Sequence, residues 1–171
     1  MGGSRRVPFV AIVGKKKIGK TSLIERLLPL LKKEGYRVGV LKYDVREFQI
    51  DYPGKDTYRS YQAGADSVLI SSSDRLAFIK GLSSKPPLKM LINKYFSDTD
   101  LVLIEGYKET DCPKIHLLEP SEVVSHKPDA TGLLPAKDCS ILVIKKEAPE
   151  EVSPQNVRVA LNFIKNLLKK M

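Results

Sequence analysis

The residues best suited to chemistry lie close to the N-terminus. Gly14-Lys15-Lys16-Lys17-Ile18-Gly19-Lys20-Thr21 has the spacing G-x-x-x-x-G-K-[ST] of a phosphate-binding loop. Glycine lets such a loop turn so that several backbone N–H groups point inward at one phosphate. The N-terminus of the helix that follows adds partial positive charge at the same place. The cradle is expected to comprise Gly14, Lys17, Ile18, Gly19 and Ser22, with Lys20 reaching the β- and γ-phosphates and Thr21 offering its hydroxyl to Mg²⁺. Lys15, Lys16 and Lys17 have two readings: extra charge for a phosphorylated ligand, or side chains directed into solvent.

Phosphate chemistry of this type also needs a carboxylate at the carboxyl edge of a neighbouring strand, to orient the metal or its water. Leu101-Val102-Leu103-Ile104 is a short apolar run of the buried-strand kind, and Glu105-Gly106 follows it. Sites in parallel sheets lie off the carboxyl ends of strands, so Glu105 is expected to face Thr21 and to share the metal. Asp100 precedes the same run and is expected at the opposite edge. Asp44 follows a second strand at the favourable edge, and Asp51 and Asp56 flank Pro53-Gly54-Lys55 as further oxygen donors.

The elements that must carry these groups follow from periodicity. Phe9-Val10-Ala11-Ile12-Val13 reads as a buried strand. Leu23, Leu27, Leu30 and Leu31 recur at helical spacing, widened by Ile24 and Leu28. Pro29 inside that pattern predicts a kink or break, and Gly35 a C-cap. A strand over residues 38–41 completes a βαβ unit, which crosses right-handed into a parallel sheet. Residues 45–55 read as a functional loop, 56–63 as a short helix, and 66–71 with 76–80 as a hairpin. Helices are expected over 86–96 and 156–170, the latter through Val157, Leu161, Ile164 and Leu168, and strands over 114–118 and 140–144. The Pro- and Ser-containing stretch 120–135 reads as a mobile loop. The expected fold is α/β: one domain over residues 7–171, with a mostly parallel sheet of P-loop NTPase type, flanking helices and a β-hairpin insertion.

Bulk properties narrow the class. The chain has 171 residues, 42% hydrophobic and 29% charged, which suits a globular protein rather than a disordered one. No apolar run approaches the roughly 20 residues of a membrane helix, nor is the N-terminal run long enough for a secretory signal, so a cytoplasmic location is expected. The net charge of +9 fits an anionic partner or a lysine-rich surface. Aromatic residues do not interleave with a basic stripe, so nucleic acid is not an expected partner. Cys112 and Cys139 have no zinc-type spacing and read as incidental.

Several segments together resemble the molybdopterin-guanine dinucleotide biosynthesis protein B (MobB) family. They are Gly14 to Thr21, Gly39-Val40-Leu41-Lys42, Asp51-Tyr52-Pro53-Gly54-Lys55-Asp56-Thr57 with Tyr58-Arg59, Ala63-Gly64-Ala65, Leu103-Ile104-Glu105-Gly106-Tyr107-Lys108 and Pro113-Lys114-Ile115. The phosphate loop is shared by many families. The D-x-P-G-K-D-[ST], E-G-[FY]-K and P-K-I segments in this order are far more specific.

The resemblance implies GTP and Mg²⁺ as cofactors, weak GTP hydrolysis, a homodimer, and a supporting role beside a molybdopterin guanylyltransferase, with molybdopterin itself a possible ligand. It implies phosphate and metal roles for Lys20 and Thr21, and a polar site set of Asp51, Lys55, Asp56, Glu105 and Lys108. Lys20, Glu105 and Asp56 are the candidate catalytic residues. The family usually carries histidines after the lysine that closes the second strand, whereas this chain has Tyr43 and Asp44. The residues alone leave a P-loop small-molecule kinase and a non-catalytic nucleotide-dependent adapter open. No N-K-x-D base-reading pattern is present, so guanine rests on the resemblance.

Overall fold

The computed structural model describes residues 6–43, 45, 48–107, 112–122, 133–134, 141–145 and 152–170. Asp44, Arg46, Lys108, Cys139 and most of the 120–135 stretch lie outside them. The chain forms two compact units, one of residues 1–44 with 88–171 and one of residues 45–87.

The first unit is built on a six-stranded sheet. Its strands are β1 (Phe9–Val13), β2 (Val38–Lys42), β5 (Leu101–Glu105), β6 (Lys114–Leu118), β7 (Leu133–Leu134) and β8 (Ile141–Lys145), in the order β2-β5-β1-β6-β8-β7. All pairings are parallel except that of the two-residue β7 on β8. This is the mostly parallel P-loop-type sheet expected from the sequence; β7 was too short to show in any pattern.

Alternation along the strands divides the core. Val10 and Ile12 of β1, Leu101 and Leu103 of β5, and Ile115 and Leu117 of β6 join a cluster with α1 (Lys20–Lys33) and α4 (Pro154–Lys169). Val102 and Ile104 pack instead with Leu88 and Ile92 of α3 (Leu88–Tyr95). Helices thus cover both faces, which is why these strands are apolar throughout rather than alternating.

Two helices differ in detail from their sequence patterns. Pro29 neither ends nor divides α1, which runs on to Lys33; its ring removes one N–H donor, and the buried Leu23, Ile24, Leu27 and Leu31 hold both halves on the sheet. Leu30 is exposed, so it lies outside the apolar stripe. The helix ends where expected: Gly35 has φ +87°, the Tyr36 N–H donates to the Leu31 carbonyl at 3.1 Å, and the Gly35 N–H donates to that of Lys32 at 3.0 Å. This is a Schellman closure. The last helix, α4, begins earlier than its periodicity indicated, because Ser153 caps it by accepting from the Asn156 N–H at 3.2 Å and Pro154 fits the first turn.

The second unit holds α2 (Asp56–Gln62) and the antiparallel pair β3 (Ser67–Ser71) and β4 (Leu76–Lys80). The hairpin matches the sequence expectation. One face carries Val68, Ile70, Ala77 and Ile79, and the other Leu69, Leu76 and Phe78. No helix among the described residues is long and apolar enough to cross a membrane.

Candidate functional site

In the first unit the loop between β1 and α1 forms a tight turn. A side chain at Gly14 would place its Cβ 2.6 Å from the Leu117 carbonyl oxygen and 2.9 Å from Ile18 Cγ2, so only glycine fits against β6. Lys17 has φ 64°, a left-handed conformation that non-glycine residues adopt at a cost. Ile18 is buried and anchors the loop to the core, while Lys15, Lys16 and Lys17 are exposed.

Gly19 is the N-cap of α1, and no side chain among the described residues caps this end. The first turn of α1 carries no acidic residue. Its N–H groups and the positive end of the helix dipole therefore face the loop with no acidic side chain of the helix's own first turn to neutralise them. Lys20 Nζ donates to the Lys15 carbonyl at 2.6 Å and to the Gly14 carbonyl at 3.3 Å. The ammonium is thereby held across the mouth of the loop, where a phosphate would lie.

The parallel register brings the carboxylate to the same edge. Ile12 of β1 pairs with Glu105 of β5, as does Lys42 of β2. The Thr21 hydroxyl lies 3.2 Å from both Oε1 and Oε2 of Glu105 and donates to this carboxylate. A hydroxyl and a carboxylate side by side, both hard oxygen donors, suit Mg²⁺. Asp100 lies at the other end of β5 and has a structural task. Its Oδ1 accepts from Arg37 Nη2 at 3.0 Å, and its Oδ2 accepts from the Arg37 backbone N–H at 2.9 Å. The hydrogen bond that Arg37 donates to Asp100 raises its guanidinium above its ordinary value, aided by the charge of the same carboxylate.

One residue at this edge escaped sequence reasoning. Glu122, just past β6, pairs with Lys15 at 3.0 Å while its Oε2 accepts the Glu119 N–H at 2.8 Å. The Glu119 N–H first, and Lys15 second, hold its carboxyl below the usual range. No motif marks it; only the placement of β6 beside β1 brings it to the loop.

The second unit positions the other candidates. Lys55 is the N-cap of α2 and Asp56 its first residue, exposed and 3.9 Å from Arg59. Asp51 is half-buried, with Oδ1 accepting the Tyr52 N–H at 2.9 Å. Asp51, Lys55 and Asp56 line a common cavity of about 450 Å³. Thus the structure joins Gly14, Lys20, Thr21 and Glu105 in the first unit, and Asp51, Lys55 and Asp56 in the second.

Comparison with known proteins gives the family. The MobB model, described as molybdopterin guanine dinucleotide synthesis protein B, matches residues 9–138. The chain belongs to the MobB family. The molybdopterin-guanine dinucleotide biosynthesis adapter protein of Haemophilus influenzae is 32% identical over 150 residues, covering 87% of this chain and 80% of its own length. The Escherichia coli adapter protein is 31% identical over 152 residues, covering 87% and 83%. A crystal structure of molybdopterin-guanine biosynthesis protein B superposes with a TM-score of 0.67 at 28% identity, over 94% of this chain and 99% of that one.

Residue 43 is tyrosine in this chain. Tyr43 packs edge-on against Tyr107, with ring centroids 5.5 Å apart and planes at 76°. Both rings border the cluster formed by α3 and β5. A position where the resemblance leads one to expect histidine is filled here by an aromatic pair.

Proposed function

We propose that this chain is a nucleotide-binding adapter in the biosynthesis of molybdopterin guanine dinucleotide. It holds GTP with Mg²⁺ on the loop of residues 14–21 and supports a molybdopterin guanylyltransferase. The observation that carries the reading is the approach of Thr21 to Glu105 behind a loop spanned by Lys20. Backbone N–H groups and the Lys20 ammonium would receive the phosphates. Thr21 and Glu105 would hold Mg²⁺, which supplies charge neutralisation of the phosphates when bound. The preference for GTP over ATP comes from the family resemblance.

Hydrolysis is expected to be slow. An arginine finger contributes about 10³ to 10⁵ in rate, and no residue of the phosphate site described above supplies one. Self-association fits the second unit, because a two-stranded hairpin leaves strand edges unpaired and exposes Leu69, Leu76 and Phe78. Thermal-shift titration tests the central claim. GTP with Mg²⁺ should raise the melting temperature of the native chain, more than ATP does, and Lys20→Ala should abolish the shift. A native chain that shifts with neither nucleotide refutes the reading. Sedimentation of the native chain tests the dimer.

A further inference from the structure

The turn that follows β6 carries a carboxylate whose aim is set by the turn itself. Glu119-Pro120-Ser121-Glu122 closes twice: the Glu122 N–H donates to the Glu119 carbonyl at 3.1 Å, and the Glu119 N–H donates to Glu122 Oε2 at 2.8 Å. Pro120 takes the second position, where its fixed φ suits the bend. One carboxylate oxygen is thus tied down by its own turn. The other, Oε1, lies 3.0 Å from the Lys15 ammonium.

Lys15 is the first variable residue of the phosphate loop, and it is held at both ends. Its carbonyl accepts from Lys20 Nζ at 2.6 Å while its ammonium faces Glu122. The two partners differ in freedom, since the Lys15 side chain is 65% exposed and that of Glu122 is 25% exposed. A polyphosphate arriving at the loop therefore meets a neutral pair at this point rather than a cation. If the ammonium swings to the ligand, the anchored carboxylate stays behind, unpaired, beside an anion. In both arrangements one negative charge at the rim opposes the phosphates, and the opposition grows with the charge on the ligand. A bound Mg²⁺ cancels about two of the ligand's charges.

We infer that Glu122 is a specificity-determining residue of the phosphate loop: by holding the charge of Lys15 it disfavours metal-free polyphosphates relative to their Mg²⁺ complexes. The inference rests on the proposed nucleotide binding at residues 14–21. It gives Glu122 and Lys15 a task that the G-x-x-x-x-G-K-[ST] pattern leaves open, because the pattern specifies neither residue.

The test measures equilibrium binding of GTP to the full-length native chain, to Glu122→Gln, to Lys15→Gln and to the double variant, with Mg²⁺ and with EDTA. Glutamine at position 122 keeps an oxygen for the Glu119 N–H, so the turn is retained while the charge is lost. Glu122→Gln should tighten metal-free GTP by about threefold to tenfold and the Mg²⁺ complex by less, the scale of an exposed charge acting on a multiply charged ligand. Lys15→Gln alters an exposed side chain and reads the same balance from the other side: it should weaken metal-free GTP more than the Mg²⁺ complex. The double variant has the native net charge and should return to within about twofold of the native chain. All these differences should shrink in about 1 M salt, where the screening length is about 3 Å. A Glu122 that only braces the loop gives the opposite sign: Glu122→Gln weakens binding, the double variant stays weak, and salt does not remove the difference. That result overturns the inference, as does a Glu122→Gln chain that binds metal-free GTP no tighter, or that gains equally with and without Mg²⁺. In each of these cases a native chain that binds GTP leaves the phosphate-loop reading intact. Absence of GTP binding in all four proteins removes that reading and this inference with it.

Discussion

Gly14 and Gly35 allow steric and conformational costs to be separated within one unit of the protein. Both have positive φ, +149° and +87° respectively. An alanine at Gly35 meets nothing within 4 Å, so it bears only the cost of a left-handed backbone, about 1–2 kcal/mol. An alanine at Gly14 bears a similar cost and also meets the Leu117 carbonyl at 2.6 Å and Ile18 Cγ2 at 2.9 Å. The Ile18 methyl can shift, but the carbonyl belongs to a central strand and cannot. Overpacking of this kind adds about 1–3 kcal/mol. Gly14→Ala should therefore cost about 2–5 kcal/mol, against a total stability of about 5–15 kcal/mol. At roughly 2–4 °C per kcal/mol for a chain of this size, its melting temperature should fall well below that of Gly35→Ala. Denaturant unfolding of the two variants measures the gap. Equal losses would show that β6 does not confine the loop and would refute the reasoning. Gly14→Ala should also lose nucleotide binding, and Gly35→Ala should retain it.

Further outcomes follow from single contacts. Glu105→Gln should weaken Mg²⁺ binding in the nucleotide complex by about 10-fold to 100-fold, the effect of disturbing a carboxylate near a metal, while binding of metal-free nucleotide changes little; titration with and without EDTA checks this. Glu122 has a carboxyl held below its usual range, so its contribution to stability is present above the unfolded value of about pH 4.3 and is lost as the pH falls through the lowered one. Glu122→Gln should flatten that acid limb of the stability curve. Asp100→Asn should lower the melting temperature by weakening the Arg37 contacts, yet leave nucleotide affinity unchanged, since the pair lies at the opposite sheet edge from the loop. Tyr43→His should lose the ring pairing with Tyr107, worth about 0.5–1.5 kcal/mol, without gain in nucleotide affinity; isothermal titration and denaturation together check both halves.

Much of this architecture was legible because local and global signals agreed. The strand at residues 9–13, the glycine-bounded loop and the apolar run before Glu105 each have a pattern that only one arrangement satisfies. Three features were hidden for physical reasons. Continuity of α1 through Pro29 depends on tertiary packing of Leu23, Leu27 and Leu31, which overrides the local penalty. The start of α4 depends on a Ser-Pro cap that carries no apolar periodicity. The contact of Glu122 with Lys15 joins residues far apart in the chain and obeys no motif. The cavity wall of the second unit was present as strand alternation, but alternation says which residues share a face and not what the face encloses.

Strand order explains why the site forms where it does. β1 has β5 on one side and β6 on the other, and the chain leaves β1 through α1 toward β2. Connections that diverge from neighbouring strands open a crevice at their carboxyl ends. Each of the three central strands then brings one group to that edge: the loop of residues 14–21 after β1, Glu105 at the end of β5, and Glu122 past β6. The same register also buries the core. Leu101 and Leu103 face α1 while Val102 and Ile104 face α3, and Glu105 follows in sequence. A slip of one residue in β5 would exchange these faces and turn Glu105 away from Thr21. The carboxylate is thus positioned by the packing of the four apolar residues before it, and the chemistry of the loop inherits its geometry from the hydrophobic core.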